Sequence, residues 1–167
     1  MLKVLFRDHV TTGRLSEISS TMELLNHLVV LDHLNANKIA ILHDTISITK
    51  HLGVQRKIKE RLSSFSDVKE GTTLKHFTNH RQNVMKFGMK LTPDAVKKIG
   101  GFYNKKYTDR WSMITDLENM NQIFDGDMKD FIELLKSLKL HRALNALLEG
   151  IPHFFKENRW LSKFDTI

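Results

Sequence analysis

Apolar residues along this chain recur at spacings of three and four, and almost nowhere in strict alternation. Because a helix turns once in about 3.6 residues, that rhythm gathers them on one side of a helix. The β-branched run "TISITK" is the one place where a strand competes. It lies inside "NANKIAILHDTISITKHL", where Ile39, Leu42 and Ile46 keep helical spacing while Ile41, Ile48 and Leu52 widen the stripe. The reading is again helix. With only 2 Pro to interrupt it and several capping patterns, the chain is expected to be all-α.

The helix ends are legible. "TTG" at 11–13 closes a first helix at about Val10, and "RLSEIS" forms one short turn that buries Leu15 and Ile18. Ser20 stands three residues before Glu23, the spacing of a capping box. "NAN" at 35–37 separates the next helix, Gly53 interrupts it, and "VQRKIKER" follows as a basic amphipathic helix. "SSFSDVKEGTT" has linker composition. In "TPDAVKKIGG", Thr92 caps, Pro93 suits the first turn and Gly100–Gly101 stop the helix. Thr108 is the expected cap of the next helix. Asp125 or Asp127 opens the one after, and Gly150 ends the last.

Two stretches share length and apolar rhythm: "MELLNHLVVLDHLNANKIAILHDTISITKHLGVQRKI" and "SMITDLENMNQIFDGDMKDFIELLKSLKLHRALNALL". Each has a polar break after its first helix and another before its last. An offset of about ninety residues is far longer than a solenoid repeat and implies two small bundles. The expected division is 1–65, a linker at 66–73, a second bundle at 74–150 and an aromatic tail at 151–167.

The first unit resembles a death effector domain of the death-fold superfamily. The resemblance rests on "LKVLFRDHV", the short turn with Leu15 and Ile18, the helix from Met22 to Leu28, and Asn37–Leu42. It implies that the chain starts at the family's second helix. The family's Arg-x-Asp-Leu signature is replaced here by His51-Leu52-Gly53-Val54. The second unit is similar to a death domain in its capped start at Thr92, Ile99, the pair Phe102–Tyr103, Trp111 and the closing "LLKSLKLHRALNALL". Two such units in series match adaptors of the Fas-associated death-domain type, and closely after them tandem effector-domain proteins such as caspase inhibitors and prodomains.

The resemblance implies six-helix antiparallel Greek-key bundles and a cytoplasmic, non-enzymatic adaptor. Its partners would be a death receptor or adaptor, an initiator caspase prodomain, or further copies of itself. Matching helices places the partner contacts at Lys3, Val4 and Arg7, and at Lys97, Lys98, Tyr103, Asp109 and Arg110.

Other chemistry is thinly represented. There is no Cys, which excludes thiolate metal sites and a cysteine nucleophile and fits a reducing compartment. His76 and His80 stand four apart, as zinc ligands on one helix face do, but no third ligand accompanies them. No Walker loop, nucleophile elbow or dinucleotide fingerprint occurs, so no cofactor, metal or catalytic residue is expected. No apolar run reaches the about twenty residues of a membrane span, and "MLKVLFRDH" lacks the pattern of a signal peptide. The formal charge is +7, and residues 71–120 hold nine Lys/Arg against four Asp/Glu. A basic face there is the basis of the alternative, a helical nucleic-acid binder.

Overall fold

A computed structural model describes residues 1–35, 37–68, 74–126 and 128–149. All regular structure among them is helical. Five helices precede the linker: α1 (Leu2–Leu5), α2 (Thr12–Glu17), α3 (Thr21–Val30), α4 (Ala40–Thr49) and α5 (Gly53–Arg61). Five follow it: α6 (Asn79–Lys90), α7 (Pro93–Phe102), α8 (Arg110–Asn119), α9 (Lys129–Ser137) and α10 (His141–Leu147). "TISIT" at 45–49 is the second half of α4 and Lys50 its left-handed C-cap, so the periodicity outweighs β-branching there.

Capping chemistry fixes several starts. The Glu23 N–H donates to Ser20 Oγ at 3.2 Å, while the Glu23 carboxylate accepts from the Ser19 N–H, one residue earlier than a capping box would have it. Thr92 Oγ1 accepts from the Ala95 N–H at 3.2 Å and Pro93 occupies the first helical position. α8 is capped by Asp109 rather than Thr108, through bonds from the Trp111 and Ser112 N–H groups at 2.7 and 3.2 Å. Neither Gly100 nor Gly101 stops α7, which continues to Phe102. Gly100 has a different job. A Cβ there would lie 2.6 Å from the Lys105 carbonyl oxygen, so glycine lets the following loop fold back on the helix. α9 starts at Lys129 with no side-chain cap. Asp127, Gly150 and the aromatic tail 151–167 lie outside the described residues.

The two segments share one core, which corrects the expectation of two separately closed bundles. The contiguous buried cluster takes Leu5, Phe6, Leu24, Leu28 and Ile41 from before the linker and Val84, Phe87, Ile114 and Leu135 from after it. α6 is the shared element, packing against α1, α4, α8 and α10. Its buried face includes Val84, Met85 and Phe87, and Phe87 meets Phe131 edge to face at 5.8 Å. Gly88 sets the approach of α8, since a Cβ would fall 2.5 Å from the Trp111 ring. Phe6 lies edge-on to Phe77 at 5.4 Å, joining the two segments again. The physical reason is that α1 and α4 have apolar faces that helices α2, α3 and α5 do not cover, and α6 covers them.

The described ends of the linker are tied down. Phe65 is buried and stacks on His43 at 4.1 Å, and the Val68 N–H donates to Gln55 Oε1 at 2.7 Å. Beyond it, the Lys75 and His76 N–H groups both donate to Asp44 Oδ2 at 2.9 Å.

Candidate interaction surfaces

Three places combine polar groups, clefts or exposed apolar surface. The first is the seam between segments. Arg81 of α6 is 3% exposed. Its guanidinium donates to Asp8 Oδ1 and to Glu118 Oε1, each at 2.7 Å. Arg7 donates to Asn119 Oδ1 at 2.8 Å and lies 3.8 Å from the same Glu118 oxygen. Burial opposes charge on Arg81, but its bonds to Asp8 and Glu118 outweigh it and hold its pKa above the ordinary value. Burial also works against Asp8, where the Arg81 bond prevails and the carboxyl is lowered. At Glu118 burial wins and the carboxyl is raised. Arg81 Nε and Glu118 Oε2 have no hydrogen-bond partner. This network joins the two segments.

Beside it, His9 and His33 meet edge to face at 5.1 Å, and His9 lies 5.3 Å from Phe77. Burial lowers the pKa of His9, reinforced by His33, and burial lowers that of His80. His76 and His80 do not share a helix face as expected, because α6 begins at Asn79. The His76 ring instead pairs with Asp44 at 2.9 Å. Among the described residues no three His, Asp or Glu side chains converge as metal ligands.

The second place is a shallow cleft of about 250 Å³ at the α7–α8 junction. Lys97, Asp109 and Arg110 all line it, together with Pro93, Val96 and Tyr107. Three of the residues expected to contact a partner are thus brought together. Asp109 is committed to capping α8, and Arg110 donates to the Gly88 and Met89 carbonyls at 3.2 and 3.3 Å. Lys98 is exposed and pairs with Asp94 at 3.0 Å. Tyr103 is half-buried with its hydroxyl on Gln122 Oε1 at 3.0 Å, whereas its neighbour Phe102 is 62% exposed. Tyr107 donates to Asp116 at 2.6 Å, and burial followed by that bond pushes its phenol well above the usual range.

The third place is an apolar groove of about 770 Å³ between α1, α3, α4 and α5. Leu2, Ile18, Leu25, Ile46, Val54 and Ile58 line it, and Lys3 and His51 bring positive or titratable groups to its wall. Among the described residues no carboxylate lines it. Of the expected contacts Lys3, Val4 and Arg7, only Lys3 lines this surface. Val4 is buried, which corrects its placement as a contact: α1 turns that side onto the core. Arg7 is held by Asn119 and Glu118. The groove itself was legible only indirectly, as apolar Val54 and Ile58 in an otherwise basic stretch.

No family model matches this chain, and no curated protein and no solved structure is significantly similar to it. Among the described residues no helix is long and apolar enough to cross a membrane.

Proposed function

We propose that the chain is a non-enzymatic cytoplasmic signalling adaptor of death-fold type, recruiting a death receptor or an initiator caspase prodomain by association of like helical modules. The observation that carries this reading is the arrangement of two segments in series, each of five α-helices no longer than 12 residues. Modules of that size offer different faces to successive neighbours, and such heterologous contacts propagate into assemblies. Lys97 and Lys98 on α7, with exposed Phe102 at its end, form the surface that best suits such a contact. The Greek-key arrangement of each segment belongs to this proposal.

One observation favours the tandem effector-domain regulator of caspase activation as a second reading. An adaptor that links two different partners is served by modules free to move apart. Here one core spans both segments, which suits a pair acting as a single rigid body. The basic nucleic-acid binder draws less support. Of the nine cations in residues 71–120, Arg81, Lys86, Lys98, Lys105 and Arg110 are engaged with protein oxygens.

The test is retention of a death receptor's intracellular domain or an initiator caspase prodomain by the purified full chain. The reading expects retention that Lys97→Glu combined with Lys98→Glu abolishes. Absence of retention, together with absence of self-assembly in sedimentation, removes it.

A further inference from the structure

α4 is apolar on two adjoining sides, and the fold covers only one of them. Ile41 and Ile48 belong to the core that both segments share, and between them Asp44 accepts from the Lys75 and His76 N–H groups ahead of α6. On the adjoining side Leu42, Thr45, Ile46 and Thr49 follow at i, i+3, i+4 and i+7 and line the apolar groove between α1, α3 and α5. Ile46 is 5% exposed, yet it does not belong to the shared core. A stripe with this spacing is what one helix presents to another when they pack. Residues 42–49 run about 10 Å, two turns of a helix laid along them.

The floor of the groove makes no polar demand on what fills it. Thr45 and Thr49 donate their hydroxyl protons to the Ile41 and Thr45 carbonyls, each at 2.7 Å, so both are used within α4. Leu2, Leu25, Val54 and Ile58 complete the walls. Met22 and Val29 carry the apolar surface outward from Leu25 along α3 at helical spacing, and both are exposed. An open apolar surface of this kind marks an interaction site.

The rim carries charge of one sign. Lys3 and His51 line the groove. In helical projection of α5, Lys57 and Arg61 stand beside Val54 and Ile58, while Arg56 and Lys59 fall on the far side. The two far-side cations pair with Glu60 and Asp67. Lys3, Lys57 and Arg61 form no ion pair among the described residues, and no described carboxylate lines the groove. A cationic rim around an apolar floor complements a helix whose apolar stripe is flanked by Asp or Glu. A lipid surface suits protruding apolar side chains, and this floor is recessed. α9 of a second copy sets Asp130 and Glu133 beside an apolar stripe, but it turns Phe131, Leu134 and Leu135 into its own core.

We propose that the groove between α1, α3, α4 and α5 is a docking site for an acidic amphipathic helix of a partner protein. The partner's apolar stripe lies along residues 42–49 and its carboxylates meet Lys3, Lys57 and Arg61. This surface uses neither Lys97 nor Lys98, on which the signalling proposal depends, so failure of one leaves the other standing.

A fluorescein-labelled synthetic peptide serves as the probe. It has about twenty residues, enough to be helical in water when Ala-rich, with Leu at i, i+3, i+4 and i+7, Glu beside that stripe and Ala elsewhere. Anisotropy titration with the full chain is expected to show saturable micromolar binding, and a scrambled peptide of the same composition to bind at least about tenfold more weakly. Val54→Asp changes an exposed side chain outside the core. It is expected to weaken binding about tenfold and to leave the thermal midpoint unchanged. Lys3→Glu with Lys57→Glu is expected to weaken binding of the Glu peptide and to strengthen binding of a counterpart with Lys in its place, whereas a lost fold would weaken both. Absence of saturable binding, equal binding of the scrambled peptide, or binding insensitive to Val54→Asp overturns the proposal. A dimer that forms without peptide and is lost in Val54→Asp would also overturn it, assigning the groove to a second copy. Flotation with phosphatidylserine vesicles that Val54→Asp abolishes would overturn it in favour of a lipid surface.

Discussion

α5 and α6 look alike in sequence, each a basic stretch with an apolar stripe, yet the fold uses them in opposite ways. α6 buries Arg81, Asn83, Val84, Met85, Phe87 and Gly88, whereas no residue of α5 is buried. α6 has neighbours on several sides, including α1, α4, α8 and α10. α5 lies at the margin, and its Val54 and Ile58 border the open groove. Helical spacing therefore tells that a helix forms and which side is apolar. How deeply the helix is buried depends on what the rest of the chain brings to it.

The largest effect that would sharpen this contrast comes from Arg81. Arg81→Met leaves Asp8 and Glu118 facing each other without their shared cation. Breaking a buried pair by removing one partner costs about 3–5 kcal/mol, read as a shift in denaturant midpoint. Adding Asp8→Asn and Glu118→Gln to that variant is expected to restore part of the loss. A single substitution without effect would mean the network is not buried as described.

Next is Gly88→Ala. Its Cβ meets the Trp111 ring at 2.5 Å, so α6 and α8 must separate or the indole must move. The expected loss is about 1–3 kcal/mol, the usual range for overpacking, with a changed Trp fluorescence maximum. Gly53→Ala in α5 meets nothing within 4 Å. It is expected to stabilise slightly, by about 0.4–1 kcal/mol.

Acid probes the same contrast. Burial lowers the folded-state pKa of His9 and His80. The unfolded chain then binds protons more readily, so stability falls as pH drops below the ordinary histidine value of about 6.5 toward the lowered folded values. A titration of denaturant midpoint from pH 7 to 5 is expected to show that fall, and His80→Gln to make it shallower. The smallest effect belongs to Arg56→Ala. This side chain is 87% exposed and its partner Glu60 lies 3.8 Å away, so the change is expected to stay within about 0.5 kcal/mol.

Much of the fold was readable along the chain because its signals are local. The α4 helix through "TISIT", the burial of Leu15 and Ile18, and the Thr92–Pro93 start each depend on residues within a turn or two. The Thr108 expectation missed by one residue, since Asp109 offers a better acceptor to two N–H groups at once. The seam was not readable. Arg81 looks like one more cation in a basic stretch, and its partners lie 73 and 37 residues away. The same distance hides the shared core, because apolar periodicity does not say which helix covers which. Of the expected contacts, matching helices gave positions but not orientations, so Val4 turned inward while Lys97 and Lys98 stayed outside.

The central claim is that both segments are held by one core. Equilibrium denaturation of the full chain tests it most directly, followed in parallel by Trp111 in a Trp160→Phe background and by a label on Met22→Cys of α3, which is 65% exposed. One core predicts coincident transitions that Arg81→Met shifts together. Two separate transitions, with only the Trp111 probe moved by that substitution, would contradict it.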